Sequence, residues 1–305
     1  MNTIDIARVD LNLLKVFEAL YEEGGAGRAA IRLELTQSAV SAALSRLRRV
    51  YENPLFTRTG RGLSPTARAH ELKPVITEAL DRCRLSLAMT AGDSNDFRGR
   101  SVSIGLSDDF EIGFGHQIMD VVKKAAPGLR LIFRQTHSQI VTDALLSGQM
   151  DLAIVSGGFS SRGLSRQILG EGGYACLVDS RTLLGKQRKL TLDAYVTRPH
   201  ILVSSGGVVG IVDEALANVG RKRQICASTT HFAALPFLLH GSDAVATIPG
   251  HAAAAISRLT GLCLLQCPID LPRYSIELGW RTTKARDTGV AAVRQAVMES
   301  FACAG

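Results

Sequence analysis

The stretch Thr36-Gln37-Ser38-Ala39-Val40-Ser41-Ala42-Ala43-Leu44-Ser45-Arg46-Leu47-Arg48-Arg49 decides how the rest of the chain is read. On a helical wheel Ala39, Val40, Ala43, Leu44 and Leu47 fall within an arc of about 140°. Gln37, Ser38, Ser41, Ser45, Arg46, Arg48 and Arg49 fill the other side. The spacing predicts a helix with one buried face, opened by Thr36, whose hydroxyl can accept a backbone N–H of the first turn. An ordinary solvated helix would carry Glu–Lys pairs on its outer face, and this one has none. Short hydroxyls let a backbone approach a groove floor, a glutamine amide matches base edges, and arginines neutralise phosphate. The face reads as a DNA-recognition helix, the plainer alternative being a surface helix with an arginine-rich end.

The flanking sequence supplies the rest of such a domain. Asp10 is placed to cap a helix whose inner stripe is Leu13, Leu14, Phe17, Leu20 and Tyr21, ended by Glu22-Glu23-Gly24-Gly25. A short second helix over 28–33 turns Ala29, Ala30 and Leu33 inward, and Glu34-Leu35-Thr36 is a tight turn into the third. Two short helices so joined make a helix-turn-helix. Asn53-Pro54 stops the third helix, 55–57 reads as a brief strand, and Arg58-Thr59-Gly60-Arg61-Gly62-Leu63 as a hairpin. That hairpin is a wing whose Arg58 and Arg61 reach toward phosphates or a minor groove. From Val40 to His70 six arginines face only Glu52, a local +5 within a chain of net charge +7, which favours a polyanion. Ser64-Pro65 is a helix opening. The helix it starts, over 65–89, spaces Leu72, Ile76, Ala79 and Cys83 as a coiled-coil seam with Leu80 and Leu87 beside it, or else packs on its own domain. Pro74 is expected to bend it, and 91–96 is a polar hinge.

The run from Asp10 to Thr66 resembles the N-terminal domain of LysR-type transcriptional regulators. The likeness rests on Arg28-Ala29-Ala30, Leu35-Thr36-Gln37-Ser38-Ala39-Val40-Ser41, Leu47, Pro54-Leu55-Phe56 and Arg58-Thr59-Gly60. The resemblance implies base or phosphate contacts at Thr36, Gln37, Ser38 and Ser41, with Ser45 and Arg46 on the same face, and a wing at Arg58 and Arg61. Ala42 stands where many members have Arg, and Ser38 where many have Pro, so the base preference does not carry over. Gly24-Gly25-Ala26-Gly27 replaces the usual apolar residue and hydroxyl cap, and three glycines predict a looser second helix.

Beyond Gly99 strands alternate with helices: strands over 101–106, 129–134, 151–155, 174–178, 200–203 and 274–280, and helices over 109–125, 139–146, 208–219, 232–239, 251–259 and 289–301. This pattern predicts a mostly parallel sheet with helices on both faces. The family resemblance implies a winged helix-turn-helix (1–64), a linker helix and hinge (65–95), and a two-lobed α/β effector domain of periplasmic-binding-protein type (96–305). Lobe I takes 96–162 and 269–305, and lobe II 163–268. In such sheets ligands gather where strands end and helices begin. Four junctions qualify: Ser107-Asp108-Asp109-Phe110, Thr136-His137-Ser138-Gln139, Ser204-Ser205-Gly206-Gly207 and Thr229-Thr230-His231-Phe232, with Ile248-Pro249 as an apolar wall. Asp108 reads as a helix cap. The effector residues expected are Ser107, Thr136, His137, Ser138, Ser204, Ser205, Thr230, His231, Phe232 and Ile248. His231-Phe232-Ala233-Ala234-Leu235-Pro236 and Asp243-Ala244-Val245-Ala246-Thr247-Ile248-Pro249 resemble the branch that includes nodulation and aromatic-catabolism regulators, which implies a small aromatic effector.

Composition narrows the alternatives. With 305 residues, 46% hydrophobic and 21% charged, the chain supports two or three structural units. Six cysteines are scattered, without the spacing of a secreted disulfide scaffold. The start lacks a signal-peptide pattern and no apolar run suits a membrane span, so a cytoplasmic protein is expected. His70-Glu71-Leu72-Lys73-Pro74 begins like a zinc-protease motif but has Pro where the second His must stand. Nucleophile-elbow, Walker and dinucleotide patterns are missing, so neither an enzyme nor a cofactor is expected. The reading is a regulator of promoter DNA answering to a small effector, paired through the linker helix, assembled further into a tetramer, and meeting RNA polymerase. The alternative is a small-molecule-binding or enzymatic α/β protein with an appended DNA-binding domain.

Overall fold

The structure is a computed structural model that describes residues 9–60, 62–88, 97, 99–159, 161–183, 189–204, 206–207 and 209–302, without the side chains of 85 and 88. The expected hinge at 91–96, Met89 and the wing-tip Arg61 lie outside the described residues, as does Ser205. The chain divides into two compact units.

In the first unit α1 (Asn12–Glu23), α2 (Ala26–Leu33) and α3 (Gln37–Val50) are followed by β1 (Phe56–Thr59), β2 (Gly62–Pro65) and α4 (Ala67–Ala88). Asp10 receives the Asn12 N–H, and Gly24, in the left-handed region, closes α1 by donating to the Leu20 carbonyl. The glycine stretch does not shorten α2. It starts two residues earlier than expected, from an extended Gly25 with no side-chain cap, and Arg28 Nε ties it to the Glu23 carbonyl at 2.6 Å. Thr36 caps α3, accepting from Ala39 N at 3.2 Å. Val40, Ala43, Leu44 and Leu47 join Phe17, Leu20, Leu55 and Phe56 in one core, whereas Ala39, expected inside, is exposed. In the β1–β2 hairpin a Cβ on Gly62 would lie 2.4 Å from the Gly24 carbonyl oxygen, so only glycine lets the wing close onto the end of α1.

Helix α4 departs from the sequence reading in two ways. Ser64-Pro65 ends β2 instead of opening the helix, and Thr66 is the cap, accepting from Ala69 N. Ile76 of the expected seam and Leu80 beside it are buried in their own unit with Leu72 packed against them, leaving Val75, Cys83 and Leu87 exposed. Three turns on one side of α4 are therefore spent on the domain that carries it.

The second unit contains two five-stranded sheets. Its elements run β3 (Ser101–Leu106), α5 (Asp108–Ala125), β4 (Arg130–Gln135), α6 (Val141–Leu146), β5 (Leu152–Ser156), β6 (Leu164–Gly172), β7 (Tyr174–Val178), α7 (Leu192–Thr197), β8 (Pro199–Val203), α8 (Ile211–Asn218), β9 (Gln224–Thr229), α9 (Leu235–Leu239), β10 (Val245–Pro249), α10 (Gly250–Thr260), β11 (Cys263–Gln266), β12 (Tyr274–Arg281) and α11 (Thr288–Ala302). The strand orders are β4-β3-β5-β12-β6 and β11-β7-β10-β8-β9. In each sheet four strands run in one direction and one runs against them: β12 in the first sheet and β7 in the second, each the strand that follows a crossing between lobes. The nine-residue β6 pairs with β12 in the first sheet, so the chain first crosses at Gly172-Gly173, later than the 162/163 boundary expected. β6, β9, β10 and β11 were not foreseen: β6, β9 and β11 are edge strands with exposed positions that break the apolar alternation, and β10 is a short, mostly buried central strand with no alternation to read.

Candidate functional site

The outer face of α3 is open. Gln37, Ser38, Ser41, Ala42, Ser45 and Arg46 are exposed, opposite a face sealed by Val40, Ala43, Leu44 and Leu47. Among the described residues their hydroxyls are used only along the helix: Thr36 Oγ1 meets Ser38 Oγ at 3.0 Å, and Ser45 Oγ donates to the Ser41 carbonyl. Arg58 is exposed on β1. Arg46 lies 3.6 Å from Asp10 at the surface, a weak pairing that a phosphate can displace. Arg48 does different work, donating to the carbonyls of Pro54 (2.9 Å) and Phe56 (3.0 Å) and so fixing the approach to the wing.

Behind this face lies an ionic cluster that the sequence did not reveal. Lys73 of α4, almost fully buried, bonds Glu22 at 2.9 Å, Thr77 at 2.7 Å and Glu18 at 3.6 Å. Arg84 reaches Glu18 and Asp81, and Arg32 of α2 reaches Glu22 at 2.6 Å. Burial alone would raise the Glu22 carboxyl, but Lys73 and Arg32 more than offset it, so the group sits below the usual carboxylate range. The cluster ties α1, α2 and α4 together. Its spacing is invisible to a helical wheel because the partners lie some fifty residues apart.

In the second unit the four junctions come together in pairs. Thr136 N donates to the Leu106 carbonyl beside Ser107, and Ser204 N to the Thr229 carbonyl. The first and fourth are joined by Asp108, whose carboxylate accepts from Phe232 N at 2.7 Å and Ala233 N at 3.4 Å, with His231 at 4.0 Å. Asp108, expected to cap its own helix, instead caps a turn of the other lobe, while Ser107 stands at the N-cap of α5. Thr136 is buried and its hydroxyl has no hydrogen-bond partner among the described residues, an open donor at the end of β4. Ser204 Oγ accepts from Gly207 N and Gly206 N, while His137, Ser138, Thr230 and His231 are exposed and Phe232 half-buried. Ile248 is a correction: it is sealed in the lobe II core with Leu177, Ile201 and Leu235, and offers no wall to a ligand.

A second contact between lobes escaped the sequence reading. Asp109 receives the Ser107 hydroxyl on one oxygen and faces His251 Nε2 at 3.0 Å with the other, and Phe110 stacks on that imidazole at 4.7 Å. It borders a cavity of about 820 Å³ whose wall includes Phe114, Phe301, His251, Arg258 and the crossing segment Leu169–Gly173. None of the expected effector residues lines it. The adjacent carboxylates of Asp108-Asp109, one more than a cap needs, were the available signal. Among the described residues no group of three or more His, Cys, Asp or Glu could hold a metal ion, and no helix is long and apolar enough to cross a membrane.

Comparison with known proteins bears on both units. Residues 11–70 match the family model described as bacterial regulatory helix-turn-helix protein, lysR family, and residues 95–302 match the LysR substrate binding domain. The chain is 31% identical over 299 residues to the HTH-type transcriptional activator NahR of Pseudomonas putida, covering 98% of this chain and 99% of that protein. It is 30% identical to nodulation protein D 1 of Bradyrhizobium sp. (strain NC92), covering 96% and 94%. The crystal structure of a probable transcriptional regulator from Pseudomonas aeruginosa superposes with a TM-score of 0.71 at 29% identity, covering 95% of this chain and 97% of that one.

Proposed function

The chain belongs to the LysR family of bacterial helix-turn-helix transcriptional regulators and is a DNA-binding regulator, and from that premise we propose how its residues divide the work. Thr36, Gln37, Ser38, Ser41, Ser45 and Arg46 read or flank base edges in a major groove, and Arg58 with Arg61 holds the backbone beside it. The observation that carries this reading is the open face of α3: among the described residues its hydroxyls bond only along their own helix, Arg46 has only a loose surface pairing with Asp10, and the other face is sealed. The unit so used takes 1–64, with 65–95 as linker and 96–305 as effector domain.

The effector is a small aromatic molecule held where Ser107, Thr136, His137, Ser138, Ser204, Thr230, His231 and Phe232 converge, with Ser205 a further expected contact. Thr136 supports this placement with its free buried hydroxyl, and Asp108 with its link between lobes, which a ligand arriving there would loosen or tighten. Two chains pair through the exposed Val75, Cys83 and Leu87 side of α4, and pairs assemble into a tetramer that activates transcription through RNA polymerase in the cytoplasm. No step requires catalysis.

Two measurements test the proposal. Gln37→Ala should weaken binding to the chain's own promoter at least tenfold while leaving non-specific DNA binding unchanged. Loss of both together, or of neither, overturns the recognition reading. A thermal-shift screen of aromatic acids should find a ligand whose stabilisation disappears in Thr136→Val, and a ligand indifferent to that change places the effector elsewhere.

A further inference from the structure

The core of lobe II contains a pair of thiols that neither DNA binding nor the effector cleft uses. On the antiparallel strands β7 and β11, Leu265 lies directly opposite Cys176 and Cys263 opposite Val178. Alternation then turns Cys267, the first residue past β11, to the same side as Cys176, and both pack in the cluster that contains Tyr195, Val212, Val245 and Leu265. The two thiols lie close enough that each is the largest influence on the other's acidity. Cys176 is fully buried, with Thr247 Oγ1 at 3.4 Å, and Tyr195 OH bonds that same hydroxyl at 2.7 Å. Cys267 is half-buried, which opens a route from solvent.

The surroundings favour negative charge on Cys267 first. The neighbouring Cys176 thiol, and after it Ile269 N and the Tyr195 hydroxyl, outweigh burial and bring Cys267 down to about 7, with the Arg223 guanidinium adding to the effect. That guanidinium is fully enclosed, bonded to Asp213 at 2.7 Å and facing His200. Cys176, its partner, is pushed up.

Register decides what the pair can take. Diagonal neighbours on facing strands stand about 7–8 Å apart at Cα, wider than the roughly 4.4–6.8 Å a disulfide spans. A soft ion joined to two sulfurs by bonds of about 2.3 Å instead places them about 4.6 Å apart when collinear. We propose that Cys176 and Cys267 form a two-thiolate site for a soft monovalent cation of the copper(I) class. Soft thiolates select such ions. Binding forms two S–Cu bonds and sends two thiol protons to solvent, so the site passes from neutral to a single negative charge, opposite to that of Arg223. The bound ion would pin the end of β11 just before the 267–273 segment that carries the chain back to the first sheet.

The full-length protein, reduced and kept from air, is titrated with copper(I) held by bicinchoninate, whose colour fades as the protein takes the metal. One copper per chain is expected, with affinity lowered at least 100-fold in Cys176→Ser and Cys267→Ser and unchanged in Cys83→Ser and Cys226→Ser. Silver(I) should also slow iodoacetamide labelling of Cys267 in the unmutated chain, a readout independent of how the serine variants fold. Uptake unchanged in Cys267→Ser, uptake that follows Cys83 or Cys226, a Cys176–Cys267 disulfide formed in preference to metal binding, or undiminished labelling would each overturn the assignment.

Discussion

The outer face of α3 and the strand ends of the second unit use the same short polar residues in opposite ways. On α3, Thr36, Ser38, Ser41 and Ser45 point out and, among the described residues, bond only along their own helix, over a core that closes without them. At the strand ends, Ser107 is held by Asp109, Ser204 by the Gly206 and Gly207 amides, and Asp108 by an amide of the other lobe. A rigid duplex can be met by one face of one element. A small ligand must be surrounded, so each group that would touch it is also a strut. It follows that substitutions in the first region should change binding and spare stability, while those in the second should change both.

The strongest challenge to that division is the ionic cluster, where the DNA-reading unit is itself held by buried polar groups. Lys73→Met leaves Glu18 and Glu22 buried without their shared cation and should cost about 3–5 kcal/mol. The reading face would then be lost through unfolding, seen as a lower urea midpoint by circular dichroism. An unchanged midpoint would mean that α4 is not fixed to its unit by charge. Next in size is an acid effect confined to the second unit. Burial, with Arg223 adding to it and the Tyr195 carbonyl opposing it, holds His200 down to about 4, below its ordinary 6.5. The unfolded chain therefore takes up a proton through that window before the folded one does. Stability falls as pH drops from about 6.5 to about 4, by roughly 3 kcal/mol. His200→Gln should flatten that slope in chemical denaturation followed across pH, and a slope that survives the change must come from other groups.

How far the sequence could be read follows the same contrast. The three helices, the cap at Thr36, the wing and strand β3 were legible because their signals repeat within a turn or two. Ala39 was misplaced by one position at the edge of its arc, and α4 was given a free seam because a wheel shows which residues are apolar but not which neighbour covers them. In the second unit most strands were found, yet the one reversed in each sheet was not foreseen, since antiparallel pairing of β12 with β5 and β6 depends on where the chain crosses. Asp108 looked like an ordinary cap, and Asp109 was only its neighbour in the junction. Only folding brings Phe232 and His251, each more than a hundred residues away, against them.

Smaller effects sharpen the comparison. Asp108→Ala removes a charged acceptor from Phe232 N and Ala233 N and should destabilise the second unit by about 1–3 kcal/mol. Hydrogen exchange at those two amides should quicken, and slow exchange retained there would show that the link between lobes does not depend on the carboxylate.

The finest distinction separates two arginines. Arg58 is exposed on the wing and its side chain makes no hydrogen bond or ion pair among the described residues, so Arg58→Ala should leave stability within about 0.5 kcal/mol. If its charge meets a phosphate, the slope of log binding constant against log salt should become shallower by about 0.9. Arg48 is also exposed, but its guanidinium holds the Pro54 and Phe56 carbonyls. Arg48→Ala should therefore lower the unfolding midpoint, by about 1 kcal/mol, and weaken DNA binding only through the displaced wing. Were the two variants to behave alike, free and structural polar groups would not be separable on this face, and the contrast with the strand-end junctions would lose its basis.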